Sequence, residues 1–453
     1  MHRHDDVRVL ECVRLASTGE GVCYDQGLAT FVPGLLPGES GKVKVIERKK
    51  NWQRAQLLSL AKTTTDRQEA PCRVFEICGG CQLQHLSYEQ TLLWKRRWVE
   101  DALQRIGKVQ AKVSPVLGMD APWRYRNKVR LHRDESGKLG YYREKSKDTV
   151  VFPDCLLISE DMNRWVDKLG EFLGHDYPEV HSLTLRQNSR GEGLVLIENA
   201  EADGPLAERI RKSAEDWFAL RIKEIWALNS RGVPEQWLGR DTVVRDILAL
   251  DPDRVAEGNL ADYPLEIGFD EYILDQGFIV SPLAFLQVNH KQTEILYSLV
   301  LEWAGLSEKE TVWDLYSGIG TISLALARHA KKVIGIEENP YATNDARINA
   351  EMNGLHNAEF IQGKVEERIE HTQVPDVVVV DPPRAGLHAK VTEKLIELRP
   401  ARIIYVSCDP GTLARDLGRL ARGGYSIERV QPVDMFPWTA HVEAIILLQR
   451  QKP

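Results

Sequence analysis

The chain has 453 residues, 43% of them hydrophobic and 28% charged, with a net charge of −7. No run of about 18 apolar residues occurs and the chain opens with the polar stretch Met1-His2-Arg3-His4-Asp5-Asp6, so neither a membrane span nor a secretory leader is expected, and a fibrous or wholly disordered chain is excluded. The length allows about three domains, and the expected location is the cytoplasm.

The net charge conceals a division. Residues 1–150 carry 27 Lys and Arg against 18 Asp and Glu, whereas the remainder carries 32 against 48. A basic N-terminal third offers a surface to a polyanion such as nucleic acid. Seven cysteines are present, at 12, 23, 72, 78, 81, 155 and 408. An odd count without a leader argues against a disulfide framework.

Residues 7–61 read as short strands. Gly19, Gly21, Gly27, Gly34, Gly38 and Gly41 mark the turns, and residues 41–46 alternate as a half-buried strand does. This predicts a small β-barrel of OB type, an architecture that often binds oligonucleotides, with an SH3-like barrel as the alternative. Residues 88–106 predict a helix with Leu93, Val99, Leu103 and Ile106 on its apolar face, stopped by Gly107. Residues 123–133 predict a strand of alternating cations, Arg124, Arg126, Lys128 and Arg130 interleaved with Trp123 and Tyr125, paired with residues 139–143 across Glu135-Ser136-Gly137. Residues 156–275 alternate strands and helices. From about 290, apolar strands at 311–315, 332–337, 376–381 and 402–406 alternate with helices, which predicts a parallel, doubly wound sheet closed by a last strand at 442–448.

Five constellations carry chemistry. The first is Cys72-x5-Cys78-Gly79-Gly80-Cys81, with Cys155 as a fourth thiol. Three thiolates on a Gly-bearing loop can wrap a metal, either an iron–sulfur cluster or zinc, for which His85 would also serve. The second is Asp314-Leu315-Tyr316-Ser317-Gly318-Ile319-Gly320 between a strand and a helix, followed by Glu337 at the next strand end. The glycines let the backbone approach a ligand, and the carboxylate can accept from ribose hydroxyls. Ser323 stands where a dinucleotide fingerprint has its third Gly, which favours S-adenosylmethionine over NAD. The third is Asp381-Pro382-Pro383-Arg384-Ala385-Gly386 at a strand's carboxyl end. Arg384 stands where amino-group methyltransferases carry an aromatic, which argues against adenine or cytosine N-methylation. The fourth is Ser407-Cys408-Asp409-Pro410, a core thiol or a nucleophile. The fifth is His441-Val442-Glu443, a salt-bridge carboxylate or a general base.

Together they suit one reaction. Uracil C5 is a poor nucleophile until a thiolate adds to C6. It can then take a methyl group, after which a base removes the C5 proton and the thiol leaves. The reaction needs one Cys, one base, one methyl-donor pocket and a uracil taken out of its stack.

On these residues, with Gln82-x-Gln84-His85 and Phe285-Leu286-Gln287-Val288-Asn289, the chain resembles the RNA uracil-C5 methyltransferases, in particular the iron–sulfur-containing 23S rRNA (uracil-5-)-methyltransferases. The match runs in order along nearly the whole chain. It departs at Ser317, where many relatives carry Cys. The resemblance implies a TRAM OB-like RNA-binding barrel at 3–62, a small mixed α/β central domain with the cluster loop at 63–280, and a Rossmann-like α/β methyltransferase domain at 281–453. It implies a [4Fe–4S] cluster on Cys72, Cys78, Cys81 and Cys155, and S-adenosylmethionine bound by Gln287, Tyr316, Gly318, Glu337 and Asp381. It implies Cys408 as nucleophile and Glu443 as the base. The expected partner is RNA, 23S rRNA first and a tRNA T-loop as the alternative, read by Arg124, Arg126, Lys128 and Arg130. The protein is expected to act as a monomer away from membranes. Cytosine-C5 methylation is the weaker rival, because Ser407-Cys408-Asp409-Pro410 lacks the Pro-Cys or Thr-Cys context.

Overall fold

The computed structural model describes residues 7–200, 204–239, 269–369 and 374–451. Residues 240–268, within the stretch expected to alternate strands and helices, lie outside the described residues. Strands β1 (Val7–Leu15), β2 (Gly21–Asp25), β3 (Leu28–Val32), β4 (Ser40–Arg48) and β5 (Trp52–Lys62) close into a barrel of order β1-β2-β3-β5-β4. Period-two alternation builds it: β1 buries Leu10 and Cys12 and turns Val9, Glu11 and Val13 outward, and a register shift after Cys12 brings Leu15 inward. Cys12 and Cys23, paired across β1 and β2, fill the small core with Val32, Leu35, Val43 and Ala55.

Helix α1 (Tyr88–Ala102) follows and ends in one π-helical turn, Leu103–Gly107. Its buried face differs from the one its periodicity predicts, since Leu93 and Ile106 are exposed. The helix lies between two bodies rather than on one. Trp94 and Trp98 pack with Leu15, Leu36, Leu83 and Leu86 on the barrel side. Val99, Ala102 and Leu103, with Val113, enter the core under the C-terminal sheet. Part of the stretch expected to be central domain is thus built into the C-terminal core.

A second sheet has the order β12-β11-β10-β9-β6-β7-β8. Its strands are β6 (Lys128–Arg133), β7 (Leu139–Tyr142), β8 (Thr149–Val151), β9 (Ser182–Gln187), β10 (Gly193–Glu198), β11 (Ile222–Leu228) and β12 (Pro234–Leu238). The helices α2 (Glu160–Leu173), α3 (Pro205–Lys212) and α4 (Ala214–Ala219) accompany it. The expected hairpin is present, with His132 opposite Gly140. The strand starts only at Lys128, because Arg124 takes a left-handed φ of 55° and breaks the extended run.

After a short hairpin, β13 (Asp270–Ile273) and β14 (Gln276–Ile279), comes α5 (His290–Ala304). The third sheet then forms from β15 (Thr311–Leu315), β16 (Lys332–Glu337), β17 (Ala358–Gln362), β18 (Val377–Val380), β19 (Arg402–Ser407), β20 (Tyr425–Val433) and β21 (Glu443–Arg450). Helices α6 (Thr321–Ala327), α7 (Pro340–Met352), α8 (Val365–Arg368), α9 (Ala389–Leu398) and α10 (Pro410–Arg422) connect them. The order is β17-β16-β15-β18-β19-β21-β20. Five adjacent strands pair in parallel, as expected of a doubly wound sheet, and β21 runs antiparallel between β19 and β20. Val377–Val380 is buried throughout, since helices cover both faces there. No helix among the described residues is long and apolar enough to cross a membrane.

Candidate active site

Strand register brings Cys408 and Glu443 to one sheet edge. Ser407 on β19 lies opposite Ala444 on β21. One step further out, Cys408 leaves β19 where Glu443 enters β21, so the two face the same sheet edge. Cys408 is pinned from behind as well. Asp409 caps α10, its carboxylate accepting from Thr412 N at 2.8 Å, and Pro410 occupies the first helical turn.

Asp381 emerges from β18, between β15 and β19, its N–H 3.3 Å from Leu315 O. The following loop turns through Gly386, with φ +74° and a Cβ position only 2.5 Å from the Asp416 carboxylate, where only glycine fits. Buried Asp416 accepts from Leu387 N at 2.8 Å and from Tyr405 Oη at 3.0 Å, which fixes the loop to α10 and β19. Arg384 on this loop lies 3.4 Å from His441 Nε2, and its carbonyl accepts from Thr412 Oγ1 at 3.0 Å.

The edge gathers negative charge in a buried place. Burial pushes Asp381 and Asp314 up to about 7. Burial, then the charge of Asp381, holds Glu443 well above the usual carboxylate range. Burial, with Glu443 and Asp381 beside it, pushes the Cys408 thiol up to about 11. Arg384 opposes this at both Cys408 and Glu443. One cation therefore favours the charged form of both side chains.

The turn after β15 is held by its own backbone, the Tyr316 and Ser317 N–H groups donating to Ile336 O at 2.9 and 3.1 Å and the Gly320 N–H to Ser317 O at 3.0 Å. Tyr316, Gly318 and Gly320 have φ of +68°, +55° and +85°. The Gly318 N–H donates to Glu337 Oε2 at 3.0 Å and the Asn339 N–H to Oε1 at 2.8 Å. The buried Ser317 Oγ has no hydrogen-bond partner among the described residues and lies over Gly335, 2.9 Å from where a Cβ there would stand. Gln287 is buried and precedes α5, where Phe285 is 61% exposed. Asn127, which the sequence pattern did not single out, stitches this stretch to the second sheet through Gln287 O at 3.1 Å and Val288 O at 2.9 Å.

Cys72, Cys78, Cys81 and Cys155 line one cavity of about 600 Å³. Gly79 lets the loop dock: its N–H donates to Tyr142 O at 3.0 Å, and a Cβ there would lie 2.9 Å from the same oxygen. Asn163 anchors Cys155, accepting from Cys155 N at 2.8 Å and donating to Cys155 O at 3.1 Å. Burial, with the neighbouring thiols adding, pushes Cys78 to about 11 and Cys81 to about 12. Among the described residues, no three His, Cys, Asp or Glu side chains converge closely enough for a single metal ion. A polynuclear cluster holds its thiolates further apart than one ion does, and four thiols around one cavity fit that arrangement. His85 does not line the cavity. Its charged neighbours are Arg67 and Glu39, so the zinc option loses its imidazole.

The same cavity runs on to Arg384, Phe436, Thr439 and His441 at the sheet edge. Arg126, Lys128 and Arg130 line it, joined by Arg143 and Lys145, which sequence patterning missed. Their signal was the basic run after Tyr141-Tyr142. Arg124 stands apart. It forks onto Asp154 at 2.7 Å and bonds the carbonyls of Cys155 and Ile158, beside a cavity that it does not line. Arg130 is paired with Glu198, and burial followed by Arg186 lowers Lys128 to about 7.

Known proteins resemble this chain in sequence and in fold. The family model described as tRNA (uracil-5-)-methyltransferase matches residues 278–451. An uncharacterized RNA methyltransferase of Halalkalibacterium halodurans is 38% identical over 473 residues, covering 98% of this chain and 97% of that protein. Another, of Clostridium acetobutylicum, is 37% identical over 450 residues, covering 95% and 94%. The crystal structure of the Pyrococcus abyssi tRNA (uracil-54, C5)-methyltransferase with S-adenosyl-L-homocysteine is similar over 97% of this chain and 100% of that one, at 26% identity and a TM-score of 0.72. The chain belongs to the RNA (uracil-5-)-methyltransferases, enzymes that use S-adenosylmethionine.

Proposed function

We propose that this enzyme methylates C5 of a uridine in RNA, with Cys408 as nucleophile and Glu443 as the base. The observation that carries the reading is the register of β19 against β21, which sets these two side chains at one buried edge beside Asp381. The Cys408 thiolate adds to C6 of the uracil, and C5 becomes nucleophilic. S-adenosylmethionine supplies the electrophilic methyl group that C5 takes. The Glu443 carboxylate then removes the C5 proton, and the C5–C6 double bond reforms as the Cys408 thiolate leaves. Arg384 supports the charged forms of both groups. Gln287, Tyr316, Gly318, Glu337 and Asp381 would hold the methyl donor, with Glu337 on the ribose.

Cys72, Cys78, Cys81 and Cys155 would hold a [4Fe–4S] cluster. Four half-buried thiols around one cavity support this, because iron would deprotonate the Cys78 and Cys81 thiols that burial otherwise keeps neutral. Methyl transfer moves no net electrons, so the cluster serves as a clamp beside the RNA path. Arg126, Lys128 and Arg130 would contact RNA phosphates along the cavity, and the barrel would hold a second stretch of RNA.

The resemblance to iron–sulfur-containing relatives supports 23S rRNA as substrate. The full-length likeness to a tRNA (uracil-54, C5)-methyltransferase favours a second reading, a tRNA T-loop uridine. Labelled S-adenosylmethionine with separate 23S rRNA and tRNA transcripts, followed by nucleoside mass spectrometry, tests both. 5-Methyluridine in 23S rRNA alone supports the first reading, and in tRNA alone the second. 5-Methylcytidine overturns the uracil assignment.

A further inference from the structure

The segment of residues 434–441, which leads into Glu443, is gripped from four directions. Buried Lys95 on α1 pairs with Asp434 and donates to Phe436 O at 2.8 Å, and both charged side chains are 0% exposed. Tyr88 Oη donates to Asp434 Oδ2 at 2.7 Å. From the stretch before β6, Trp123 stacks on Trp438 with ring centroids 4.4 Å apart, and Tyr125 Oη donates to Pro437 O at 3.1 Å. Asn289 Nδ2 donates to Met435 O at 3.2 Å. The fourth grip comes from the cysteine loop. The backbone N–H groups of Gln82 and Leu83 both donate to Trp438 O, at 3.1 and 3.0 Å. The Gln82 side chain accepts from Ala440 N at 3.2 Å and donates to Gly79 O at 3.0 Å. One amide thus ties the loop bearing Cys78 and Cys81 to the residue three positions before Glu443.

Backbone strain shows that these grips determine the segment's shape. Trp438 is buried yet holds a left-handed φ of +65°. A non-glycine residue keeps such a conformation only where its surroundings enforce it. Glu443 itself begins β21, so the direction of this segment sets where its carboxylate enters the edge.

We infer that Gln82 is a positioning residue for Glu443, coupling the geometry of the cysteine loop to the proton-removal step through the segment 434–441. The inference rests on the reading of Glu443 as the base. It follows that loosening Gln82 slows the last step more than the first. The Cys408–RNA adduct should then build up, whereas simple loss of folding would lower adduct and turnover together.

The test compares wild type, Gln82→Ala, Gln82→Glu and Glu443→Gln as full-length, anaerobically purified proteins on whichever transcript accepts label. Measured for each are kcat, KM for RNA, melting temperature and the share of RNA held in a complex stable to denaturing gels. Gln82→Ala should lose on the order of ten-fold in kcat, a modest misplacement of a reacting group, with KM little changed and more adduct than wild type. Gln82→Glu keeps the acceptor for Ala440 N and should recover part of the loss. Unchanged kcat in Gln82→Ala, or a fall in kcat with no added adduct, overturns the inference while an adduct in Glu443→Gln leaves the base reading intact. Absence of adduct in Glu443→Gln overturns the base reading and this inference with it.

Discussion

Cys408 stands where a strand of the parallel sheet ends, and the four thiols of the cavity stand on loops. The first owes its surroundings to strand register: Ser407 faces Ala444, and Cys408 and Glu443 follow. The second owes its surroundings to docking, with Gly79 against Tyr142 and Asn163 around Cys155. Both thiol sets are half-buried, and burial pushes Cys408 up to about 11 and Cys81 up to about 12. What differs is the company. Cys408 has carboxylates and one arginine beside it, which suits a thiol that must gain and lose a bond. The cavity thiols have one another, which suits a set that shares a cation. Burial alone therefore does not tell the two sets apart, and neighbouring charge does.

The largest expected effect separates the two regions outright. Cys408→Ala should abolish methylation while the protein keeps its full iron, about four per chain by analysis and a brown colour. Residual turnover would remove the nucleophile assignment. Conversely, Cys81→Ser or Cys155→Ser should lose iron while Cys408 stays reactive towards a thiol-directed label protected by RNA. Zinc in the wild-type protein would break the comparison.

A smaller effect distinguishes cations on the cavity wall from those beside it. Arg126→Ala should weaken RNA binding for all sequences and reduce the salt slope by about 1. Arg124→Ala should leave that slope unchanged, because its guanidinium is spent on Asp154 and two carbonyls. Filter binding across a salt series reads both. Equal slopes for the two variants would undo the distinction.

The smallest effect concerns pH. Burial holds Asp345, which accepts twice from Ser281, up to about 7. The folded chain keeps a proton there that the unfolded chain releases near an ordinary carboxylate pKa of about 3.9. Stability from this site is therefore full at low pH and falls as pH rises from about 4 towards 7. Asp345→Asn should flatten that part of the melting-temperature profile. Profiles of equal slope would show that Asp345 is already ionised when folded.

Much of the catalytic edge was legible because strand ends announce themselves. The apolar run Val377–Val380 followed by Asp381, and Arg402–Ser407 followed by Cys408, place these two side chains at carboxyl ends by local pattern alone. Helix α1 was misread on its buried face because its neighbours lie on two sides. Period 3.6 marks one apolar stripe, but here Trp94 and Trp98 serve one body and Val99 and Leu103 another. The alternating cations of residues 124–130 looked equivalent in sequence. Only the left-handed turn at Arg124 takes that side chain out of line with the rest.

By itself, then, the sequence determined the barrel, the thiol loop, the doubly wound sheet and the strand ends that carry Asp381 and Cys408, since each is written in short-range periodicity or in a motif a few residues long. The tertiary structure decided what those groups meet. The antiparallel return of β21 beside β19, the buried Lys95–Asp434 pair and the bond from Gln82 to Ala440 each join residues far apart in the chain. No local pattern encodes such contacts, because they arise from the register and docking of whole elements, whose packing is settled only when the core closes.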